Sequence, residues 1–165
     1  MEEKDVMLKR EIITEIYELS DLSQLSEQDQ QLIELSLKAR KKAYAPYSGF
    51  QVGAALLFDD GTFVTGSNQE NAAYPSGLCA ERVAIFYANS QFPDKTIQKI
   101  AVSAGRGDKL TDIVISPCGA CRQVLLESEI RQKSPIELLL VGNEKVVKMH
   151  QCADLLPLAF TGKEL

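Results

Sequence analysis

The chain has 165 residues, 45% hydrophobic and 25% charged, which fits one domain with a single sizeable core. Its formal net charge of −5 weighs against a nucleic-acid polymer as partner, since phosphate binding needs a concentrated positive face, and favours a small neutral substrate. The longest apolar stretches, such as Val52 to Phe58, are far too short to cross a bilayer, so no membrane partner is expected.

Met1-Glu-Glu-Lys-Asp5 is charged and lacks the apolar core of an export signal. The four cysteines are therefore expected as reduced thiols or metal ligands in the cytoplasm, not as a disulfide framework. Residues 1–27 are polar with scattered apolar positions (Ile12, Ile13, Ile16, Tyr17, Leu19) and read as a short helical or irregular extension, packed on the domain or on a neighbour. Residues 28–165 read as the single domain proper. Ser26 looks like a helix cap before the acidic Glu27 and Asp29, and the spacing of Leu32, Ile33, Leu35, Leu37 and Ala39 predicts a helix to about Ala43. Ala45-Pro46-Tyr47-Ser48-Gly49 ends it. The basic cluster Lys38-Ala-Arg40-Lys41-Lys42 falls near the end of that helix, where cations complement the helix dipole.

Val52 to Phe58 reads as a buried strand, Asp59-Asp60-Gly61 as a tight turn and Thr62 to Gly66 as the antiparallel return. A polar loop, Ser67 to Leu78, leads to a helix from Cys79 to Ala88. A strand over Ile97 to Ala104 follows, then a short extended piece, Ile113 to Ile115, and a helix from Cys118 to about Ile130. Ile136 to Val141 and Val146 to Met149 are the last strands. Strands alternating with helices imply parallel pairing among the strands so connected, in a mixed sheet with helices on both faces. The expected fold class is α/β.

Cys79-Ala-Glu81 and Pro117-Cys118-Gly-Ala-Cys121 carry the chemistry. Three thiols can hold a zinc ion and leave its fourth position open, as catalytic sites do, while Glu81 moves protons for the water there. Cys118 and Cys121 share a helix face, and both cysteine segments open helices, whose free N–H groups stabilise thiolates. On an ideal helix begun at Cys79, Glu81 would lie about 200° round the axis. A first residue only half inside the helix relaxes that geometry, and the alternative for Glu81 is an acidic first-turn residue that merely complements the dipole. Three thiolates around a dication leave one net negative charge. One or both of Arg82 and Arg122 are expected to donate to the sulfurs; the alternative is two surface arginines. Cys152, or the single histidine His150, could instead close the site as a fourth ligand. Cys152 reads more simply as a small buried thiol and His150 as a polar residue at a strand end.

Four separated motifs, Tyr44-Ala-Pro-Tyr-Ser-Gly-Phe50-Gln-Val-Gly-Ala-Ala55, Asn68-Gln-Glu70-Asn71-Ala-Ala-Tyr74-Pro75, Cys79-Ala-Glu-Arg82 and Ser116-Pro-Cys-Gly-Ala-Cys-Arg-Gln123, stand in order and with consistent spacing. With them the chain resembles the cytidine deaminases, in particular the small homotetrameric zinc-dependent class with three cysteine ligands. The likeness runs from Ala43 to Cys121 and resumes weakly over Leu155 to Phe160. It implies a three-layer α/β/α sandwich around a mixed five-stranded sheet, with Zn²⁺ on Cys79, Cys118 and Cys121 and Glu81 as general acid and base. The implied reaction is hydrolytic deamination of cytidine and 2′-deoxycytidine to the uridines and ammonia, in pyrimidine salvage, by a cytoplasmic homotetramer. By the same resemblance Phe50 stacks on or edges the pyrimidine, and Asn68 and Glu70 hydrogen-bond the ribose hydroxyls. Backbone groups at Ala80 and Ser116 read the ring edge and the departing amine, and Tyr74 and Phe160 contribute to a neighbouring subunit's pocket, with Tyr47 lining that region. Gly49 and Ala73 stand where larger residues are frequent in the family, so the pocket rim and subunit contacts are expected to differ. A deaminase of another amino-heterocycle is the nearest rival. A zinc-stabilised, non-catalytic binding domain is disfavoured by Glu81 and by the Asn68–Glu70 pair.

Overall fold

The computed structural model describes residues 7–165. The charged stretch Met1 to Asp5, on which the reading of the amino terminus rests, lies outside the described residues. Ser26 caps the first helix as its position suggests: its hydroxyl accepts from Asp29 N at 3.1 Å, and α1 runs Glu27–Arg40. The other elements are β1 (Tyr17–Leu19), β2 (Gln51–Phe58), β3 (Phe63–Ser67), α2 (Ala80–Gln91), β4 (Ile97–Arg106), β5 (Lys109–Leu110), α3 (Gly119–Gln132), β6 (Glu137–Val141) and β7 (Val146–Met149). Among the described residues no helix is long and apolar enough to cross a membrane.

The strands form one mixed sheet in the order β1-β7-β6-β4-β2-β3, with β5 folded back on the end of β4. Among the described residues seven strands stand where five were expected. One of the two additions comes from the described part of the amino-terminal extension, which is irregular apart from this strand and a 3₁₀ turn at Leu22–Gln24: Tyr17, Glu18 and Leu19 pair antiparallel with Lys148, Val147 and Val146. An edge strand leaves a row of unsatisfied backbone groups, and β1 satisfies that row on β7. Lys145 fastens it through an ion pair with Glu18 at 2.8 Å.

The connectivity corrects a second expectation. β4 and β6 pair in parallel, from Lys99 opposite Glu137 to Ser103 opposite Val141. β3 and β4 also run in the same direction, but β2 lies between them, antiparallel to both. The reason is burial. From Gly53 to Phe58 every residue of β2 is buried, so this strand needs a paired neighbour on each side and a helix layer on each face. Ala54, Leu56 and Phe58 point to the layer of α2 and α3, where they meet Ala84, Ile85 and Leu125. Ala55 and Leu57 point to α1, where they meet Leu32 and Ile33. That alternation produces the three-layer α/β/α architecture.

Two features set the positions of the helices. Asp29 of α1 binds Lys99 Nζ of β4 at 2.6 Å, and Lys99 and Lys148 each reach Glu137 of β6 at 2.9 Å, so one charge network ties α1 to β4, β6 and β7. On the other face Gly66 of β3 lies beneath the start of α2. A Cβ there would fall 2.6 Å from Ala84 N and 2.7 Å from Ala80 O, so only glycine lets α2 begin this close to the sheet.

Candidate active site

Cys79 and Cys118 occupy equivalent places at the N-caps of α2 and α3, both extended (φ −69°, ψ 153° and φ −67°, ψ 165°), and neither side chain caps its helix. Their sulfurs are thus free to converge. Cys79 Sγ lies 3.8 Å from Cys118 Sγ, Cys118 Sγ lies 3.6 Å from Cys121 Sγ, and all three fall within 4.8 Å of one another. Sulfurs about 2.3 Å from a tetrahedral zinc stand about 3.8 Å apart, so the donor set fits that metal in both chemistry and spacing. Among the described residues this is the one cluster of three candidate ligands. Cys152 is not part of it, being buried in the core with its backbone N–H on Glu129. His150 stacks edge-on against Tyr17 at 5.0 Å, beside the β1–β7 pair.

Packed this closely, the thiols do not ionise alike. A hydrogen bond from Cys121 holds the Cys79 thiol down to about 5, helped by Arg82, whose Nη2 lies 3.6 Å from the sulfur. The Cys121 thiol is pushed up in turn by its bond to Cys79, by burial and by the charge of Glu81. A divalent cation among the sulfurs reverses that second shift, since it takes thiolates as ligands. Of the two arginines named for charge compensation, Arg82 sets a guanidinium nitrogen beside a cysteine sulfur. Arg122 does not: its fork is taken by Pro117 O (2.8 Å), Ser116 Oγ (3.1 Å) and Leu155 O (3.2 Å). Those bonds fold the Ser116–Pro117 turn against the start of α3, and none of the three goes to a sulfur. Arg82→Ala is expected to keep most of the zinc and to lower turnover about 10- to 100-fold, checked by metal analysis beside steady-state kinetics.

Glu81 is 4% exposed in the first turn of α2. Because Cys79 is a cap outside the helix, the residues are not opposed around an axis, and both line the same cavity. Burial pushes the Glu81 carboxyl up, and the charge of Cys79 adds to the shift. A carboxyl raised in this way is suited to both taking and giving a proton.

The cavity measures about 610 Å³, within the range of small-molecule sites. Phe50, Asn68, Glu70, Tyr74 and Ser116 are in its wall together with Tyr47. Ala80 is fully buried as the first residue of α2. Phe160 lies outside the cavity of its own chain, more than half exposed, with its carbonyl on Gln123 Nε2 at 2.9 Å. The sequence reading missed what Asn68 and Glu70 do within the protein. Asn68 accepts from Val52 N at 2.8 Å and donates to Phe50 O at 2.9 Å. Glu70 accepts from Tyr47 N at 2.9 Å, from Ser48 N at 3.3 Å and from the Ser48 hydroxyl. They hold the loop that carries Phe50, a duty with no one-dimensional signal because all their partners but the Ser48 hydroxyl are backbone groups.

Such a site can activate water against an electron-poor carbon and pass protons between neighbouring atoms of one small substrate. The profile of the family described as "Cytidine and deoxycytidylate deaminase zinc-binding region" matches residues 26–134. A cytidine deaminase of Halalkalibacterium halodurans is 40% identical over 136 residues, covering 82% of this chain and 96% of that one. One from Sporosarcina psychrophila is 43% identical over 136 residues, covering 82% and 93%. The crystal structure of cytidine deaminase from Burkholderia pseudomallei superposes with a TM-score of 0.65 at 39% identity, covering 82% of this chain and all of that one. The chain belongs to the zinc-dependent cytidine and deoxycytidylate deaminase family.

Proposed function

We propose that this protein deaminates cytidine and 2′-deoxycytidine hydrolytically, releasing uridine or 2′-deoxyuridine and ammonia, as a cytoplasmic homotetramer in pyrimidine salvage. The observation that carries the reading is a buried carboxylate, Glu81, in the wall of one cavity with Cys79 and Cys118 of the three-sulfur cluster. Cys79, Cys118 and Cys121 would hold the zinc ion, whose Lewis acidity would bring the deprotonation of water to about pH 7. Glu81 takes a proton from the attacking water and delivers it to ring N3, which leaves C4 electron-poor. Once the water oxygen has bonded to C4, Glu81 passes that hydroxyl's remaining proton to the exocyclic amine; the C4–N bond breaks, the carbonyl forms and ammonia departs. Phe50 meets the pyrimidine ring, while Asn68 and Glu70 reach the ribose hydroxyls with lone pairs their backbone partners leave free. Backbone groups at Ala80 and Ser116 meet the ring edge and the leaving amine. Tyr74 and Phe160 contribute to a neighbouring subunit's pocket, a reading supported by their exposure, 76% for Tyr74.

The test is loss of cytidine absorbance on incubation with purified protein, before and after zinc chelation, with 2′-deoxycytidine and free cytosine alongside. Rapid, zinc-dependent conversion of both nucleosides, with free cytosine much slower, is the expected result. A folded, zinc-loaded protein that leaves both nucleosides unchanged would overturn the assignment.

A further inference from the structure

Phe50 closes a loop, residues 44–50, that Asn68 and Glu70 hold from the cavity side. A further hold comes from outside the motifs that carry the family resemblance. Arg106, the last residue of β4, donates to Ser48 O and sets its guanidinium carbon 5.7 Å from the centre of the Phe50 ring. Between these two contacts Gly49 adopts φ +64°, and a Cβ there would lie 3.2 Å from Arg106 Nη1. The guanidinium thus rests directly on the loop backbone. Arg106 is itself supported. It opens the turn between β4 and β5, whose carbonyls at Gly107 and Lys109 accept from Arg40 Nη1 at 3.0 and 3.5 Å. Arg40 is 2% exposed in the last turn of α1, and among the described residues its side-chain hydrogen bonds run from Nη1 to the backbone of the β4–β5 turn.

From this arrangement we infer that Arg106 is a positioning residue for the reaction. By holding Ser48 O and covering the Phe50 ring, it presets the surface that Phe50 offers to a pyrimidine, and Arg40 keeps the turn beneath it in place. The inference rests on the deaminase reading, in which Phe50 meets the substrate ring. A guanidinium over an exposed aromatic contributes modestly, and an aromatic ordered before binding lowers the ordering cost of the complex. Such a contribution acts alike on ground state and transition state, and so falls on KM and not on kcat.

Steady-state kinetics with cytidine on Arg106→Gln, Arg106→Lys, Phe50→Ala and the Phe50→Ala/Arg106→Gln pair test it. Arg106→Gln is expected to raise KM about fivefold with kcat within about twofold, and Arg106→Lys to recover part of the loss. In the Phe50→Ala background, which itself raises KM, Arg106→Gln is expected to add nothing. An unchanged KM in Arg106→Gln, a loss confined to kcat, or full additivity with Phe50→Ala would overturn the inference. Amide hydrogen exchange over residues 46–50 provides a readout that needs no substrate: faster exchange in Arg106→Gln supports the hold, and unchanged exchange overturns it. Wild-type protein that leaves cytidine untouched while exchange still accelerates would sink the reaction and leave the hold standing.

Discussion

Glu81→Gln is expected to keep its zinc and its fold and to lose about three orders of magnitude in cytidine turnover. The substitution preserves shape in a position that is 4% exposed, so packing is nearly unchanged. What disappears is the ability to accept a proton from water and release it to ring N3 and then to the amine. General acid–base groups of this kind contribute about 10²- to 10⁴-fold, and in the proposed mechanism one side chain serves both transfers. Metal analysis, a thermal unfolding curve and initial rates on the same preparation check all three parts. Near-normal turnover with full zinc would remove Glu81 from the mechanism.

The second large effect concerns the metal and Cys121. Cys121 lies fully buried one turn into α3, whereas Cys79 and Cys118 sit at helix starts belonging to two different elements. Zinc on these sulfurs joins the beginning of α2 to the beginning of α3, so metal binding and folding are coupled. Chelation, or Cys121→Ala, is expected to abolish activity and lower stability. A ligand at about 1,000 times its Kd contributes about 4 kcal/mol. In a chain of this size that loss corresponds to a fall of roughly ten degrees in Tm. Cys152→Ala is the control: it truncates a buried thiol outside the cluster, so zinc content stays full. Zinc loss in Cys152→Ala, or retention in Cys121→Ala, would mean that the ligand set has been misassigned.

The parts of this molecule that were legible in its sequence are those governed by local chemistry. Ser26 announced the start of α1, Asp59-Asp60-Gly61 announced the β2–β3 hairpin, and Cys79 and Pro117-Cys118 marked the starts of two helices. Pairing partners were harder to read. β3 and β4 run in the same direction, yet β2 separates them because its burial on both faces demands a central place, a property of the assembled sheet. β1 is only three residues long and owes its existence to the open edge of β7. At the site, spacing was enough to bring the three thiols together, but not to tell Arg82 from Arg122. Both follow a cysteine closely, and only the assembled carbonyls at Pro117 and Leu155 draw Arg122 away. Arg106 carried no signal at all, since its partners are a backbone carbonyl and a ring more than fifty residues earlier in the chain.

The pairing of β1 with β7 also bears on solubility. The segment matched by the family profile begins at Ser26, so Tyr17–Leu19 lies outside it and seals one margin of the sheet. Val146 and Val147, two adjacent β-branched residues that favour aggregation when exposed, are shielded there by a strand of the same chain. Sheet-to-sheet polymerisation through β7 is thereby blocked: the margin on that side is β1, three residues long, and β3 forms the other. Growth of the sheet by successive copies needs two usable margins, and a three-residue edge strand is a poor template for the next copy.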